Sequence, residues 1–287
     1  MQLIDGKHVA EKVAAELQER IATLVAQKIT PTLAILVVGD DLRTQKYIAA
    51  KQRTAEELGI RVTLFALQSQ AAEDVVTQIT DTITTLNQDS SVHGVILQLP
   101  IPIAVDEQEL IDLIKPTKDV DGLTLTNQAA LEAGRELFLP ATPQGILRLM
   151  TAYKLQIPDA RIAVVGQGRL VGKPLTAMLR SRGADVVTAN SETTDLPAVL
   201  KGASVVISAV GKENLITEDM VDGQMALIDV GLSDIDGKLQ GDIVQAAKDK
   251  ARLASPVIGG VGPMTVISLL ANVVLAAELA ALRGDNA

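Results

Sequence analysis

The sequence predicts an α/β protein of two domains, each with a mainly parallel sheet, of which the C-terminal domain is Rossmann-like. The chain has 287 residues and is 47% hydrophobic, which is enough to fill two cores. Continuous apolar runs such as 33–39 are typical of strands buried on both faces, and they alternate with helical patterns. A glycine-rich turn at Gly166 stands between one such strand and a helix, which is the context required for dinucleotide binding.

Composition excludes several classes of function. The net charge is −9 with both signs interspersed, so neither nucleic acid nor a membrane is an expected partner. Cysteine is absent and the two histidines, His8 and His93, stand far apart, so no metal site is predicted. The sequence has neither a signal-peptide pattern nor an uninterrupted apolar run of about 18 residues. We therefore expect a cytoplasmic protein that acts on small molecules.

The first half of the chain alternates helical and strand patterns. In order they predict a helix at 8–28, a strand at 33–39, a helix ending at Gly59, a strand at 61–67, a helix at 71–86, a strand at 94–99 and a short helix at 107–114. The strands and their crossover helices form a βαβαβ pattern, whose crossovers should be right-handed.

Candidate catalytic side chains lie on the second of these helices and after the third strand. Thr44, Tyr47 and Lys51 project from one helical face, because positions three and four apart are neighbours. Gln98 is a polar residue at the carboxyl end of an apolar strand, where open α/β sheets bind ligands, and Lys51 is a reasonable partner for its amide. Taken singly, each residue also has an ordinary structural interpretation: a tyrosine packed at a helix edge, a solvated lysine, and a glutamine bonded to the backbone.

The second half repeats the α/β pattern after a Pro-rich passage at 140–146. It predicts a helix through about Tyr153, strands at 161–166, 185–188, 204–210 and 226–230, a helix at 173–182, a loop at 255–265 and a closing helix at 266–282. The glycine turn has the spacing G-x-G-x-x-x-G, which departs from the usual dinucleotide fingerprint. It suits either a pyrophosphate at a helix N-terminus or a plain strand-to-helix turn.

Ten motifs occur in one order along nearly the whole chain, and together they resemble the bifunctional methylenetetrahydrofolate dehydrogenase/cyclohydrolase family. The motifs are Ile4-Asp5-Gly6-Lys7; Thr44-x-x-Tyr47-x-x-x-Lys51; Gln98-Leu99-Pro100-Ile101-Pro102; Lys118-Asp119-Val120-Asp121-Gly122; Thr142-Pro143-x-Gly145-Ile146; Val165-Gly166 through Val171-Gly172-x-Pro174; Ser208-Ala209-Val210-Gly211; Ile228-Asp229-Val230-Gly231; Gly241-Asp242-Ile243; and Gly259-Gly260-Val261-Gly262-Pro263-Met264-Thr265. No single motif is decisive, but their number and order are specific.

The resemblance implies a fold and an activity. A folate-binding catalytic domain, residues 1–138 with 264–287, would flank a cleft together with a Rossmann domain, residues 139–263. The enzyme would oxidise 5,10-methylenetetrahydrofolate to the methenyl form with a nicotinamide cofactor and then hydrolyse it to 10-formyltetrahydrofolate. Tetrahydrofolate derivatives would be its partners, in one-carbon metabolism and purine biosynthesis, and a homodimer is the family expectation.

The resemblance also assigns residues. Lys51, Gln98, Tyr47 and Asp121 match the family's catalytic positions. The full substrate-binding set implied is Tyr47, Gln98, Leu99, Pro100, Asp121, Gly260 and Pro263, and the cofactor-binding set is Gly166, Gln167, Gly168, Arg169, Ser191, Leu232 and Thr265. Lys51 would move protons during water addition, for which a free amine needs a pKa well below its ordinary value of about 10.4.

The cofactor residues depart from the family pattern. Gln167 and Gly168 replace the usual Arg and Ser, and Ala189-Asn190-Ser191 replaces Cys-His-Ser. The lost cations favour the 2′-phosphate of NADP, and the carboxylate of Glu192 opposes it, although Arg169 offers a substitute charge. Family precedent implies NADP, and these residues leave NAD open.

Other interpretations stay open. Tyr-x-x-x-Lys is also the catalytic pair of short-chain dehydrogenases, but there the glycine turn precedes the pair and here it follows. A dehydrogenase without cyclohydrolase activity conflicts with the presence of both Lys51 and Gln98. The altered cofactor turn leaves a third possibility: a cyclohydrolase alone, or a non-catalytic protein that binds folate or nucleotide.

Overall fold

The computed structural model describes residues 2–39, 41–68 and 71–284. The described chain divides into two compact units, Met1–Lys12 with Thr142–Thr265 and Val13–Ala141 with Val266–Ala287. Both units are α/β, and their main sheets are parallel. The predicted fold class is confirmed.

Strands and helices follow the predicted alternation, with several short additions. The strands are β1 (Gln2–Leu3), β2 (Thr32–Val38), β3 (Arg61–Leu67), β4 (Gly94–Leu97), β5 (Arg161–Val165), β6 (Asp185–Ala189), β7 (Val205–Ser208), β8 (Ala226–Asp229), β9 (Ser233–Ile235), β10 (Lys238–Gln240) and β11 (Leu253–Ala254). The helices are α1 (Gly6–Ala26), α2 (Leu42–Leu58), α3 (Ala72–Gln88), α4 (Glu107–Ile111), α5 (Leu125–Glu132), α6 (Ala141–Ala152), α7 (Gly172–Ser181), α8 (Leu196–Leu200), α9 (Gln245–Lys250) and α10 (Val261–Arg283).

The unit Val13–Ala141 with Val266–Ala287 is built on a three-stranded parallel sheet in the order β3-β2-β4. Every residue of the central strand β2 is buried, as its continuous apolar sequence requires. Edge strand β3 instead alternates partly buried and exposed residues. One stripe of α3 packs into the core below the sheet, namely Val75, Ile79, Ile83 and Leu86.

Helix α2 is fixed at both ends by its own residues. The Asp41 carboxylate accepts a hydrogen bond from the Thr44 backbone N–H at 2.9 Å and caps the N-terminus. Gly59 ends the helix in the left-handed conformation, with φ at 84°. These caps set the helical register that turns Lys51 towards the sheet.

The other unit, Met1–Lys12 with Thr142–Thr265, contains a six-stranded parallel sheet in the order β1-β11-β8-β7-β5-β6. Strands β5, β7 and β8 are almost wholly buried, and their carboxyl ends lie at one edge of the sheet. An antiparallel hairpin, β9 with β10, follows β8. This arrangement is Rossmann-like, as predicted.

Helix α10 starts earlier than predicted. The stretch 261–265 was expected to be loop because it contains Gly262 and Pro263, yet the helix begins at Val261. Proline is tolerated in a first helical turn, where its missing N–H would have no partner in any case. Among the described helices, α10 alone is long and apolar enough to cross a bilayer, but 61% of its most apolar window is buried inside the protein, as in a core helix.

Candidate active site

Lys51 and Gln98 form a directly bonded pair in the unit built on the three-stranded sheet. The Lys51 Nζ donates to Gln98 Oε1 at 2.9 Å, and Gln98 Nε2 donates to the Leu99 carbonyl at 2.7 Å. The second bond orients the amide so that its oxygen faces the amine. Gln98 lies just beyond β4, and its backbone N–H bonds to the Leu36 carbonyl on β2 at 2.8 Å. The sheet therefore fixes the residue that positions the lysine.

Burial shifts the ionisation of Lys51 and of nearby Asp121 in opposite directions. Desolvation lowers the pKa of Lys51, and attraction to the Asp121 carboxylate only partly opposes this. Desolvation also raises the pKa of Asp121, against the attraction of Lys51 and with help from repulsion by Asp119. For both groups the loss of hydration outweighs the attraction between them. The site thus favours an uncharged amine more than water does.

The loop that carries Asp121 is held by two polar residues that sequence reasoning did not single out. The buried Asp119 carboxylate accepts two backbone N–H groups and the Asn127 amide, at 2.8 to 3.1 Å. Asn272 on α10 donates to the carbonyls of Val120 and Leu139, both at 2.8 Å. A lone asparagine in the apolar α10 was the available signal, since a buried amide needs partners.

Three further predicted substrate residues lie in the same unit. Tyr47, one helical turn before Lys51, is 42% exposed, so its ring is open to a ligand. The described partner of the lysine amine is Gln98, as its place at the end of the strand suggested. Leu99 is partly buried and Pro100 is exposed, and the peptide bond between them is cis.

Replacing Asp121 with asparagine should stabilise the folded protein at neutral pH. The pKa of Asp121 is higher in the folded protein than in the unfolded chain. Ionisation of this carboxyl at high pH therefore lowers the free energy of unfolding, and the effect disappears at a pH where the carboxyl is protonated in both the folded and the unfolded protein. We expect a gain of about 1 kcal/mol at pH 7, or a rise of roughly 2–4 °C in Tm. The gain should shrink as the pH falls through the raised native pKa towards the ordinary aspartate range.

Thermal unfolding of wild type and Asp121→Asn between pH 3 and pH 8 checks this expectation. Asp112→Asn is unsuitable as a control, because its carboxylate bonds to Leu125 N. Exposed Asp249 is a better one, because among the described residues its neighbour is simply the Gln245 side chain on the same helix, which donates to it at 2.8 Å. Loss of stability in Asp121→Asn at pH 7 would show that the carboxylate stabilises the fold.

The other unit contains a nucleotide turn that only glycines permit. Gly166 has φ at 91°, and a Cβ there would lie 2.6 Å from the Ala209 carbonyl oxygen. A Cβ on Gly172 would lie 1.8 Å from the Gly166 carbonyl oxygen, so the start of α7 packs directly on the turn. A Cβ on Gly168 would meet nothing within 4 Å. Gly166 and Gly172 therefore build the turn, while Gly168 faces open space.

A cleft of about 730 Å³ opens beside this turn, which suits a ligand of dinucleotide size. Of the predicted cofactor residues, Gly166, Gln167, Gly168 and Ser191 line it. Arg169, Leu232 and Thr265 are not among its lining residues. Sequence reasoning missed two lysines that do line it, Lys173 and Lys212. The sequence indicates these two lysines only weakly, because nothing marks them except that each follows a glycine of a recognised motif.

The two residues that replace the family's cations are engaged locally. The Gln167 amide donates to the carbonyls of Val164 and Gly166, at 3.3 and 3.2 Å, and accepts from the Thr176 hydroxyl. Asn190 Oδ1 accepts the Glu192 backbone N–H at 2.9 Å and so shapes its own turn. Both side chains brace the walls of the cleft and bring no positive charge to it.

The remaining predicted residues, Gly260, Pro263 and Thr265, belong to the nucleotide-binding unit by contact. A Cβ on Gly6 would lie 1.7 Å from the Gly260 carbonyl oxygen, so the N-terminal segment packs directly on this loop. The hydroxyl of Thr265 lies 3.1 Å from that of Thr142. Among the described residues, no group of three or more His, Cys, Asp and Glu side chains is arranged to hold a metal ion.

The fold and the two candidate sites define a class: a two-unit α/β protein with a bonded lysine–glutamine pair in one unit and a Rossmann-like glycine turn beside a cleft in the other. Family comparisons agree. Residues 4–121 match the tetrahydrofolate dehydrogenase/cyclohydrolase catalytic domain, and residues 140–281 match the NAD(P)-binding domain of the same family. The chain belongs to the tetrahydrofolate dehydrogenase/cyclohydrolase family.

Individual relatives cover almost the whole chain. The bifunctional protein FolD of Exiguobacterium sibiricum is 39% identical over 96% of this chain and 99% of its own, and that of Cupriavidus necator is 40% identical over 98% and 99%. The crystal structure of the Campylobacter jejuni bifunctional enzyme superposes with a TM-score of 0.93, at 35% identity over 97% of this chain and 99% of its own. The Trypanosoma brucei enzyme, solved with NADP and an inhibitor, gives a TM-score of 0.91, at 28% identity over 97% and 98%.

These findings confirm the predicted family, the enzyme class with its two activities, and the nicotinamide cofactor. They do not test individual residues. The structure brings Lys51, Gln98 and Asp121 together in one unit, and Gly166, Gln167, Gly168 and Ser191 around one cleft in the other. The roles of these residues remain predictions.

Proposed function

We propose that this chain oxidises 5,10-methylenetetrahydrofolate with NADP and hydrolyses the methenyl product at a site centred on Lys51. The observation that carries the proposal is the partly buried Lys51, which donates a hydrogen bond to Gln98 and whose pKa is lowered by desolvation. A free amine at neutral pH is what a proton-transferring group needs, because catalysis is most efficient when the pKa is near the working pH.

In the hydrolytic step, the amine of Lys51 accepts a proton from water as the water oxygen bonds to the methenyl carbon. It then returns that proton to the ring nitrogen as the carbon–nitrogen bond of the adduct breaks, and the hydroxyl proton of the adduct leaves to solvent as the carbonyl of the 10-formyl product forms. Gln98 holds the amine in place through a neutral hydrogen bond, so it adds no charge that would raise the pKa of the lysine.

Asp121 and Tyr47 would bind the folate. The carboxylate of Asp121 suits the paired N–H donors of the aminopyrimidine edge of the pterin, and such donors stabilise its charged form. The exposed ring of Tyr47 offers a face for the aminobenzoyl group. Leu99 and Pro100, which follow Gln98 directly, would form the adjacent wall.

The glycine turn and the start of α7 would hold the cofactor pyrophosphate, and Ser191 the ribose end. The residues present fit such a group. The absence of a Cβ on Gly172 lets the start of α7 pack directly on the turn, and the space in front of Gly168 is open. The cofactor held there would supply the hydride acceptor for oxidation of the methylene carbon. Lys173 and Lys212 bring two positive charges to the cleft, which supports NADP, the more negatively charged cofactor.

We further propose the domain boundaries, assembly and location that the sequence predicted. Residues 1–138 with 264–287 would bind folate, and 139–263 would bind the dinucleotide. The support is that Lys51, Gln98 and Asp121 fall in one compact unit and the nucleotide cleft in the other. A cytoplasmic homodimer that supplies one-carbon units, including those for purine biosynthesis, completes the proposal.

Initial rates with NADP and NAD in parallel test the proposal. We expect faster oxidation of methylenetetrahydrofolate with NADP, and little accumulation of the methenyl intermediate while reduced nicotinamide forms. A higher kcat/KM with NAD would reverse the cofactor assignment. No turnover with either cofactor would favour the alternative, a cyclohydrolase alone or a protein that binds folate or nucleotide without turnover.

A further inference from the structure

Two sequence motifs without an assigned function, 228–231 and 241–243, interlock in the nucleotide-binding unit. A Cβ on Gly231 would lie 2.1 Å from the Asp242 carboxylate, and a Cβ on Gly241 would lie 2.0 Å from the Asp229 carboxylate. The Asp242 backbone N–H also donates to Asp229 Oδ1 at 2.9 Å. Each motif thus supplies the glycine that admits the aspartate of the other.

Asp242 directs its fully buried carboxylate at the loop that follows β7. Oδ2 accepts the Ser208 hydroxyl at 2.7 Å and the Val210 backbone N–H at 2.8 Å. Oδ1 accepts the Lys212 backbone N–H at 2.9 Å. Three donors spaced along five residues converge on one side chain, so the carboxylate fixes the path of the loop 208–212.

This loop is one wall of the nucleotide cleft. Ala209, Val210 and Lys212 line the cleft, whereas Asp242 does not. The Ala209 carbonyl also lies against Gly166, with its oxygen 2.6 Å from where a Cβ of that glycine would be. A shift of the loop would therefore alter both the wall and the turn that faces it.

Asp242 is in turn held in place by Asp229, which has buried partners of its own. The Asp229 carboxylate pairs with the buried Lys248 amine at 2.7 Å, and Asp229 N–H donates to the Ser255 hydroxyl at 2.8 Å. A buried carboxylate that is fully bonded is a rigid support, because moving it would leave charge without partners.

We propose that Asp242 is a positioning residue for the cofactor: it touches no ligand but sets the backbone of loop 208–212 from which the cleft wall is built. This inference rests on the proposed cofactor role of the cleft. Only a carboxylate fits, because all three neighbours are used as donors. Asparagine in either orientation would place its NH₂ group against a backbone N–H, that of Val210 or that of Lys212.

Asp242→Asn tests the proposal through two readouts on the full-length protein. We expect the Kd for NADPH and the KM for NADP to rise at least about tenfold, equivalent to 1.4 kcal/mol. Hydrolysis of added 5,10-methenyltetrahydrofolate without cofactor should stay within about twofold, because Lys51, Gln98 and Asp121 lie in the other unit. Ser208→Ala removes one donor and leaves two, so it should weaken NADPH binding only about threefold. Exposed Asp249→Asn is the surface control.

Three results would overturn the inference. One is unchanged NADPH binding by a folded Asp242→Asn protein. Another is an equal loss of NADPH binding and hydrolysis together with a lower Tm, which indicates a purely structural role. If Asp242→Asn does not fold, unchanged NADPH binding by Ser208→Ala decides against it. Failure of the proposed function is distinguishable, because wild type itself would then neither bind NADPH nor reduce NADP.

Discussion

Lys51→Met should abolish hydrolysis of 5,10-methenyltetrahydrofolate, with a fall in kcat of about a thousandfold, as is typical when a general acid–base group is lost. Methionine keeps much of the length and apolar character of the side chain but carries no proton. It also removes a buried amine whose charged form is poorly hydrated, so the variant should fold at least as stably as wild type. The decay of methenyl absorbance measures the hydrolytic rate directly. Oxidation of methylenetetrahydrofolate should fall less, because hydride transfer depends mainly on the positioning of the two reactants.

Lys46→Met is a matched control, since Lys46 is exposed on the same helix and should tolerate the change. The pH dependence gives a second check. Because burial lowers the pKa of Lys51, the free-amine fraction rises with pH through that lowered value. Wild-type hydrolysis should therefore increase with pH in a range below the ordinary lysine pKa, and this increase should be missing from the residual activity of Lys51→Met. Full hydrolytic activity in Lys51→Met would eliminate the role.

Long periodic elements of the fold were predictable because their signals are local. The seven residues of β2, six of them apolar, form a strand that is buried throughout, and the Gly59 cap ends α2 where expected. Strands β1 and β11 have two residues each, too short to carry any periodicity, and only their pairing in the sheet defines them. The early start of α10 was also missed, because Pro263 reads as a helix breaker until its place in the first turn is known.

The candidate site likewise has a part that was predictable from the sequence and a part that was not. The meeting of Lys51 and Gln98 follows from a helical register and a strand end, both of which are readable in sequence. The supports of the site are not readable, because they act across long stretches of chain: Asn272 bonds a carbonyl 152 residues away. The placement of Lys173 and Lys212 in the cleft likewise depends on how two glycine loops pack together. Sequence motifs thus indicated candidate groups for the chemistry but not the residues that hold those groups in place.

Gly172→Ala should lower kcat/KM for NADP by about a hundredfold, the size of effect that a misplacement of about 1 Å produces. The added Cβ would lie 1.8 Å from the Gly166 carbonyl oxygen, and the nearest atoms are all backbone, so no side-chain rotation relieves the contact. Either α7 moves away from the turn or the turn opens, and both shift the backbone N–H groups that would face the pyrophosphate. Steady-state rates with NADP varied at saturating folate measure the effect.

Gly223→Ala is the matched control for that loss, because it adds the same carbon to an exposed glycine of the same unit that does not line the cleft, and the added Cβ would lie an ordinary 3.5 Å from the Lys250 carbonyl oxygen. It should leave kcat/KM for NADP within about twofold, since surface substitutions without close contacts usually change little. Hydrolysis of the methenyl substrate should persist in both variants, because the hydrolytic residues belong to the other unit. Equal losses in Gly223→Ala and Gly172→Ala would mean that chain flexibility sets cofactor binding. A loss of kcat/KM confined to Gly172→Ala would show that the close packing of α7 on the turn is what cofactor use requires. That packing is the physical reason for the last glycine of the G-x-G-x-x-x-G spacing.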